Sequence, residues 1–564
     1  MVLHNDDMGR LLMMALIRGL ATWLVVLLWG CAAPQIGGPT APRNDPAAGR
    51  LYLAHTRTVW VYPQDLAYSG EARYEWPNGR SYQGGWKAGL PHGVGSETLP
   101  NGDHYHGMWQ RGARHGHGEL TRGDGSHYLG GFEAGVRHGE GVERSKVGLY
   151  RGNWLRDLPN GQGTYHSTDG AHYDGEWFNG QRQGVGAYTD AEDNHYEGDW
   201  FDDNPHGFGT MTSPDGSSYE GEWVAGTRVG YGRLVDTSGL IYEGTWVAGK
   251  RQGFGRERRP DGSDYQGEWL NGKSHGQGKE THADGSFHDG HWENNIVLGP
   301  GTRHNPTGIE ISGVWNGDNV SNGLLMLPTG HQYAGPLFKH RNTEVSVSLV
   351  DWLSTIADLG DPYAQLLIGT VYSDFTEPIK NPERARDYFS KAARSGLAEA
   401  QFRFARIEIK NNVSRAIEML ANAAKQNHPR ANDLLAEYYH LGTHVPENQA
   451  RAIKYYERAM DSGSLAARNN LAWLLATCSD PEVRDGARAV ALIKPIALLY
   501  GNWQHLDTLA AAYAEQGDFA DAVNTQQEAL DEIALSDAQD DTSATTSEMQ
   551  VRLKLFKAGS AFHE

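Results

Sequence analysis

Twelve times between residues 82 and 337 the chain repeats one short pattern: tyrosine, any residue, glycine, any residue and, in ten copies, tryptophan. The copies start at Tyr82, Tyr105, Tyr128, Tyr150, Tyr173, Tyr196, Tyr219, Tyr242, Tyr265, His288, Ile311 and Tyr333, 23 residues apart with two slips to 22. Trp86 and Trp109 begin the tryptophan series, Trp315 ends it, and Phe132 and Leu337 fill the two exceptions. Six residues later usually comes His, Gln or Asn before Gly-x-Gly, as in His92-Gly93-Val94-Gly95 and His206-Gly207-Phe208-Gly209. In a strand, residues i, i+2 and i+4 share a face, so the tyrosine, glycine and tryptophan of one copy project together. The central glycine leaves room for a neighbouring ring to lie over the backbone. Turn dipeptides such as Asn101-Gly102, Asp215-Gly216 and Asp261-Gly262 predict strand reversal, so each copy reads as a hairpin of two short strands. A unit this small buries its aromatic face only by stacking on the next.

Composition agrees. Glycine fills 71 of 564 positions, far above the usual ~7%, which without a collagen triplet commonly means disorder. Disordered chains are poor in aromatics, and this one is 10% Phe, Trp and Tyr. The net charge of −20 argues against a nucleic-acid surface, and two cysteines cannot make a disulfide framework.

The repeated residues resemble the MORN (membrane occupation and recognition nexus) repeat over residues 69–345, with 69–81 as the second half of a truncated first copy and the last three copies degraded. The resemblance implies an all-β hairpin array, with scaffolding, dimerisation or phospholipid binding as the associated roles.

Several apparent sites lie inside the array. Gly267–Ser274 spells the phosphate-loop pattern G-x-x-x-x-G-K-S, but no helix pattern follows to cradle a phosphate, so no nucleotide is expected. The recurring His92, His115, His138, His206 and His275 stand at least one repeat apart, too far to share a metal ion. They are expected to tie down turns by hydrogen bonding. One position earlier runs Arg114, Arg137, Arg182, Arg228 and Arg251, a ladder that is either a solvated turn row or a ligand-facing stripe for an acidic peptide, glycan or phosphate. No motif calls for a cofactor.

After His340 glycine thins and alanine rises. Ala364-Gln365, Ala400-Gln401, Ala431-Asn432 and Ala467-Arg468 recur 36, 31 and 36 residues apart, with apolar residues at i, i+3 and i+4 between them. Residues 346–478 resemble Sel-one-like repeats of the tetratricopeptide superfamily. Residues 479–564 follow the tetratricopeptide pattern through Ala510, Tyr513, Gly517, Ala522 and Ala529, with a closing helix. The resemblance implies an all-α solenoid that receives protein partners. Cys478 ends an apolar helix and is expected to be a buried thiol.

Residues 1–31 read as a secretory leader: Arg10 and Arg18, an apolar run from Leu20 to Trp29, then Leu28-Trp29-Gly30-Cys31. This resembles a bacterial lipobox, which implies lipid attachment at Cys31. Ala32 after the cysteine implies an anchor in the outer membrane, facing the periplasm. Residues 32–68 read as a flexible linker and lead-in segment. The whole reads as a non-enzymatic, membrane-tethered scaffold for protein partners. The alternative is a binding module for peptidoglycan, lipopolysaccharide or membrane phospholipid.

Overall fold

The structure, a computed structural model, describes residues 40–43, 45–53, 57–339, 344–375, 379–536 and 543–564. Cys31 and the expected leader lie outside the described residues. The chain divides into two compact units, Met1–Gly186 and Ala187–Glu564.

In the first unit β1 (Gly49–Leu53) pairs antiparallel with both β2 (Arg57–Val61) and β3 (Gly70–Glu75). The stretch expected as linker and lead-in therefore contains two strands. Their alternating Leu51, Leu53, Val59 and Val61 are buried, closing over the first aromatic residues of the array. Tyr74, buried among them, donates its hydroxyl to the Val61 carbonyl at 2.9 Å.

From Ser81–Lys87 to His172–Phe178, successive strands of this unit pair antiparallel in sequence order. In the hairpin of Tyr105, Tyr105 lies opposite Leu120, Gly107 opposite Gly118 and Trp109 opposite Arg114. The register slips between Gly107 and Trp109, a bulge that recurs in copy after copy. Gly116, at φ 63°, takes the left-handed conformation at that bulge. Gly118 serves a different need: a Cβ there would stand 2.4 Å from the Tyr105 hydroxyl. The two glycines of Gly-x-Gly thus have separate physical reasons.

The reversal inside each copy sits earlier than the Asn-Gly and Asp-Gly dipeptides. Ala88 and Gly89 (φ 50° and 77°), or Arg111 and Gly112 (52° and 84°), both take positive φ, as a two-residue hairpin turn requires. The Asn101-Gly102 turn instead links one copy to the next, closed by the Leu99 amide on the Asp103 carbonyl at 2.8 Å.

The second unit continues the pattern from His195–Phe201 to Gln332–Pro336. The degraded copies at His288 and Ile311 still form hairpins, and Tyr333 contributes a single strand. Twelve described helices follow: α1 (Val347–Asp358), α2 (Pro362–Asp374), α3 (Pro382–Arg394), α4 (Ala398–Glu408), α5 (Val413–Lys425), α6 (Pro429–Leu441), α7 (Gln449–Asp461), α8 (Leu465–Thr477), α9 (Gly486–Tyr500), α10 (Trp503–Gln516), α11 (Phe519–Ser536) and α12 (Ser543–Lys557). Asn412, Asn448, Ser464, Asp485 and Asn502 cap helix starts by accepting a backbone amide. Cys478 ends α8, buried and free, as expected.

Composition changes at residue 346, but these helices belong to one compact unit with the array strands after Ala187. Side-chain contacts explain this. Arg468 of α8 donates to the Pro260 carbonyl at 2.8 Å, and Tyr500 of α9 donates to the Asp261 carboxylate. Further along, His331 hydrogen-bonds Asp361, the N-cap of α2, at 2.8 Å.

Candidate functional site

One face of the array is built from its repeat residues. Most repeat tyrosine rings meet their own tryptophan and that of the next copy edge to face, with Phe132 in the tryptophan's place beside Tyr105 and Tyr128: Tyr82 lies 5.1 Å from Trp86 and 5.1 Å from Trp109. In the second unit Tyr242 lies 5.3 Å from Trp246 and 5.2 Å from Trp269. Every tyrosine hydroxyl has work: Tyr105 donates to the Met108 carbonyl at 2.9 Å and Tyr265 to the Glu268 carbonyl at 3.1 Å. The indoles reach back to the preceding copy, Trp109 donating to Gly95 at 3.2 Å and Trp292 to Gly278 at 2.9 Å. Burial pushes the Tyr105 phenol up to about 12. These rings are packed as core, with Trp177 only partly buried.

The arginine ladder lies over this core. In the first unit the Arg137 guanidinium stands 3.9 Å from the Trp154 ring and pairs with Glu143 at 2.7 Å and Asp157 at 3.1 Å. Arg114 covers Tyr105 at 4.9 Å and pairs with Glu97 at 2.8 Å, and Arg182 covers Tyr173 at 5.8 Å. In the second unit Arg251 covers Trp269 at 4.4 Å and pairs with Glu257. Arg228 stacks on Tyr219 at 4.8 Å, and burial lowers its pKa. Two of these carboxylates stand six residues after their arginine, Glu143 after Arg137 and Glu257 after Arg251. At Arg228 that place is Leu234. The ladder arginines are thus partly buried and ring-stacked.

The recurring histidines do less than expected with their rings. His138 pairs with Glu133 at 3.3 Å, whereas the buried Nδ1 of His275 has no partner. At His206 it is the backbone carbonyl that accepts the Tyr196 hydroxyl, at 3.4 Å. The phosphate-loop look-alike is a hairpin, Asp264–Leu270 with Lys273–Thr281, whose Ser274 amide is capped by Asn295 at 2.8 Å.

The opposite face of the array carries a feature that sequence reasoning missed. In the second unit Phe208, Tyr231 and Phe254, each the middle residue of Gly-x-Gly, are 56%, 61% and 60% exposed. They lie opposite Glu222, Thr245 and Glu268 on the neighbouring strands. Two strands separate successive rings, a rise of ~9.6 Å. The signal was present in sequence, an apolar residue where a bulge points outward, but Gly-x-Gly was read only for its glycines.

Among the helices, burial and then Glu437 push Asp433 up to about 6, beside Ser464 and Asn470. Among the described residues no group of three or more His, Cys, Asp or Glu is placed to hold a metal ion, and no helix is long and apolar enough to cross a membrane.

Nine segments match the MORN repeat family: 82–104, 105–127, 128–149, 150–172, 173–194, 196–218, 219–241, 242–264 and 265–287. Residues 362–397, 399–428 and 429–464 match the Sel1 repeat family. The chain is therefore a multidomain repeat protein, an antiparallel MORN hairpin array followed by a helical Sel1 region. Solved structures similar to part of the chain include a Sel1 repeat protein from Oxalobacter formigenes, 24% identical over 36% of this chain and 58% of that one, with a TM-score of 0.28. Another is a protective antigen of uropathogenic Escherichia coli strains displaying an SLR fold, 22% identical over 37% of this chain and 45% of that one, with a TM-score of 0.30. The chain thus spans about half the length of these structures. No curated protein matches it in sequence.

Proposed function

We propose that this protein is a non-enzymatic scaffold of the bacterial envelope, tethered by a lipid at Cys31 and holding protein partners through its helical repeats. The observation that carries the reading is the seating of the helical region on the array on either side of its Sel1 repeats, through His331 with Asp361 before them and Arg468 with Pro260 and Tyr500 with Asp261 after them. Stacked helical repeats form extended concave surfaces suited to binding partners. An array that holds such a surface in place is a platform for display. The polar groups of the array are largely spent on each other, which suits a support better than a catalyst. The tether is tested by cell fractionation of Cys31→Ala: release from the membrane fraction is expected, and unchanged membrane association contradicts it.

A second reading, an envelope-polymer binder, is favoured by the exposed rings Phe208, Tyr231 and Phe254. Flat apolar faces at one-repeat spacing suit alternate sugars of an extended glycan strand. Cosedimentation of the whole chain with purified peptidoglycan, lost on replacing all three rings by alanine, supports it. Retention by the triple variant removes it.

A further inference from the structure

The segment Ser560–Glu564 does not trail away from the last helix. After α12 the chain turns at Gly559 (φ 71°), with the Ser560 amide on the Leu555 carbonyl at 3.0 Å, and lies along α8 and α10. The Glu564 amide donates to the Thr477 carbonyl at 2.8 Å, at the end of α8. The Trp473 indole of the same helix donates to the Glu564 carboxylate at 2.6 Å. His440 of α6 stands 3.9 Å from the other carboxylate oxygen. Between them the Phe562 ring meets Trp473 at 6.2 Å, and His563 reaches Glu515 of α10 at 2.7 Å.

The receiving surface is built rather than incidental. Arg552 of α12 is 5% exposed, and its guanidinium faces both Trp473 at 5.2 Å and Phe562 at 5.6 Å. It is held there by two bonds to Asp507, at 3.1 and 2.8 Å, and Gln526 ties the same carboxylate at 2.7 Å. Arginine and tryptophan are among the residue types enriched at interface hot spots, and here a buried, locked guanidinium faces a partly buried indole. The segment lies at the surface all the same: the His563 and Glu564 side chains remain 38% and 44% exposed.

We propose that the groove between α8 and α10, floored by Trp473 and Arg552, is a binding site for an extended peptide carrying an aromatic residue and, two positions on, a carboxylate. Phe562 and Glu564 are its occupant in cis, and a partner segment of the same chemistry displaces them. This rests on the reading of the helical region as a protein-binding surface. The segment is tethered by a few residues, so it competes at an effective concentration of order millimolar and masks the groove until it is outcompeted.

The test uses the whole chain and a fluorescein-labelled, amidated peptide of residues 558–564, Ala-Gly-Ser-Ala-Phe-His-Glu, followed by anisotropy. Phe562→Ala with Glu564→Ala is expected to bind the peptide at least about tenfold more tightly than the unaltered chain. Adding Trp473→Ala returns the affinity to baseline. Should the double variant lose helical circular dichroism, Glu564→Ala alone carries the same test, with a smaller gain expected. Equal affinity for all chains, or no binding by any, overturns the proposal. So does dimerisation of the loosened chain without peptide binding, which would assign the segment to exchange between copies. A failure here leaves the scaffold reading standing if a partner is still captured at Arg406 or Glu437, away from the groove.

Discussion

Gly118 lies under the Tyr105 ring so closely that a Cβ would stand 2.4 Å from the hydroxyl and 2.5 Å from a ring carbon. Neither the strand nor a ring locked between Trp109 and Phe132 has room to yield. Gly118→Ala is expected to cost about 1–3 kcal/mol, read from the urea midpoint. His288 is a sharper case. It stands where other copies have tyrosine, 5.8 Å from Trp292 and 5.2 Å from Trp315, with both ring nitrogens buried and unpartnered. Burial, and after it the Arg303 charge, lowers its pKa to about 4 from 6.5, against the opposing pull of Asp289, Glu280 and Asp318. As pH falls below 6.5 the unfolded chain takes up this proton first, and the folded chain follows only near 4. Its contribution to stability is therefore present above 6.5 and is lost between 6.5 and 4. His288→Tyr is expected to flatten the acid limb of the stability profile relative to the unaltered protein. It should also add about 1 kcal/mol near neutrality by restoring the hydroxyl-to-carbonyl bond. An unchanged acid limb would contradict that account of the site.

At the scale of elements, the hairpins were legible because period two and a fixed 23-residue spacing leave one way to bury the rings. The helix pairs were legible from alanines at crossing points. The tight reversal was missed because Ala88 and Ala134 are not turn formers by habit; the glycine after each permits it. The glutamates that engage Arg137 and Arg251 were missed because a bulge on the partner strand sets that register, and the bulge follows from paired geometry rather than from residue type. The Asp507–Arg552 pair was equally hidden, since its members lie 45 residues apart on different helices. Burial pushes the Asp507 carboxyl up while Arg552 opposes it. Asp507→Ala leaves the guanidinium buried without its partner, and thermal unfolding is expected to report a loss of about 3–5 kcal/mol. A shift within error would mean that the arginine finds water instead.

For the whole molecule, the two repeat types and their order were read from sequence, but not that the helices and the later half of the array form one unit. Pro260-Asp261-Gly262 looks like every other turn in the array, and only Arg468 and Tyr500, more than 200 residues on, set it apart. The Phe562–Glu564 segment likewise carried no spacing to betray it, whereas the exposed rings kept the 23-residue spacing and were passed over. The surface proposed to receive a partner is that of the first Sel1 helices, where Arg406 of α4 and Glu437 of α6 occupy equivalent, exposed places. The most direct test of the scaffold is in-cell photo-crosslinking from those two positions in the full-length protein. Discrete adducts with the same protein from both sites, absent when the cross-linker is moved to the array turn at Gly125, are the expected result. No adduct at either site, in cells where the protein is folded and abundant, would contradict it.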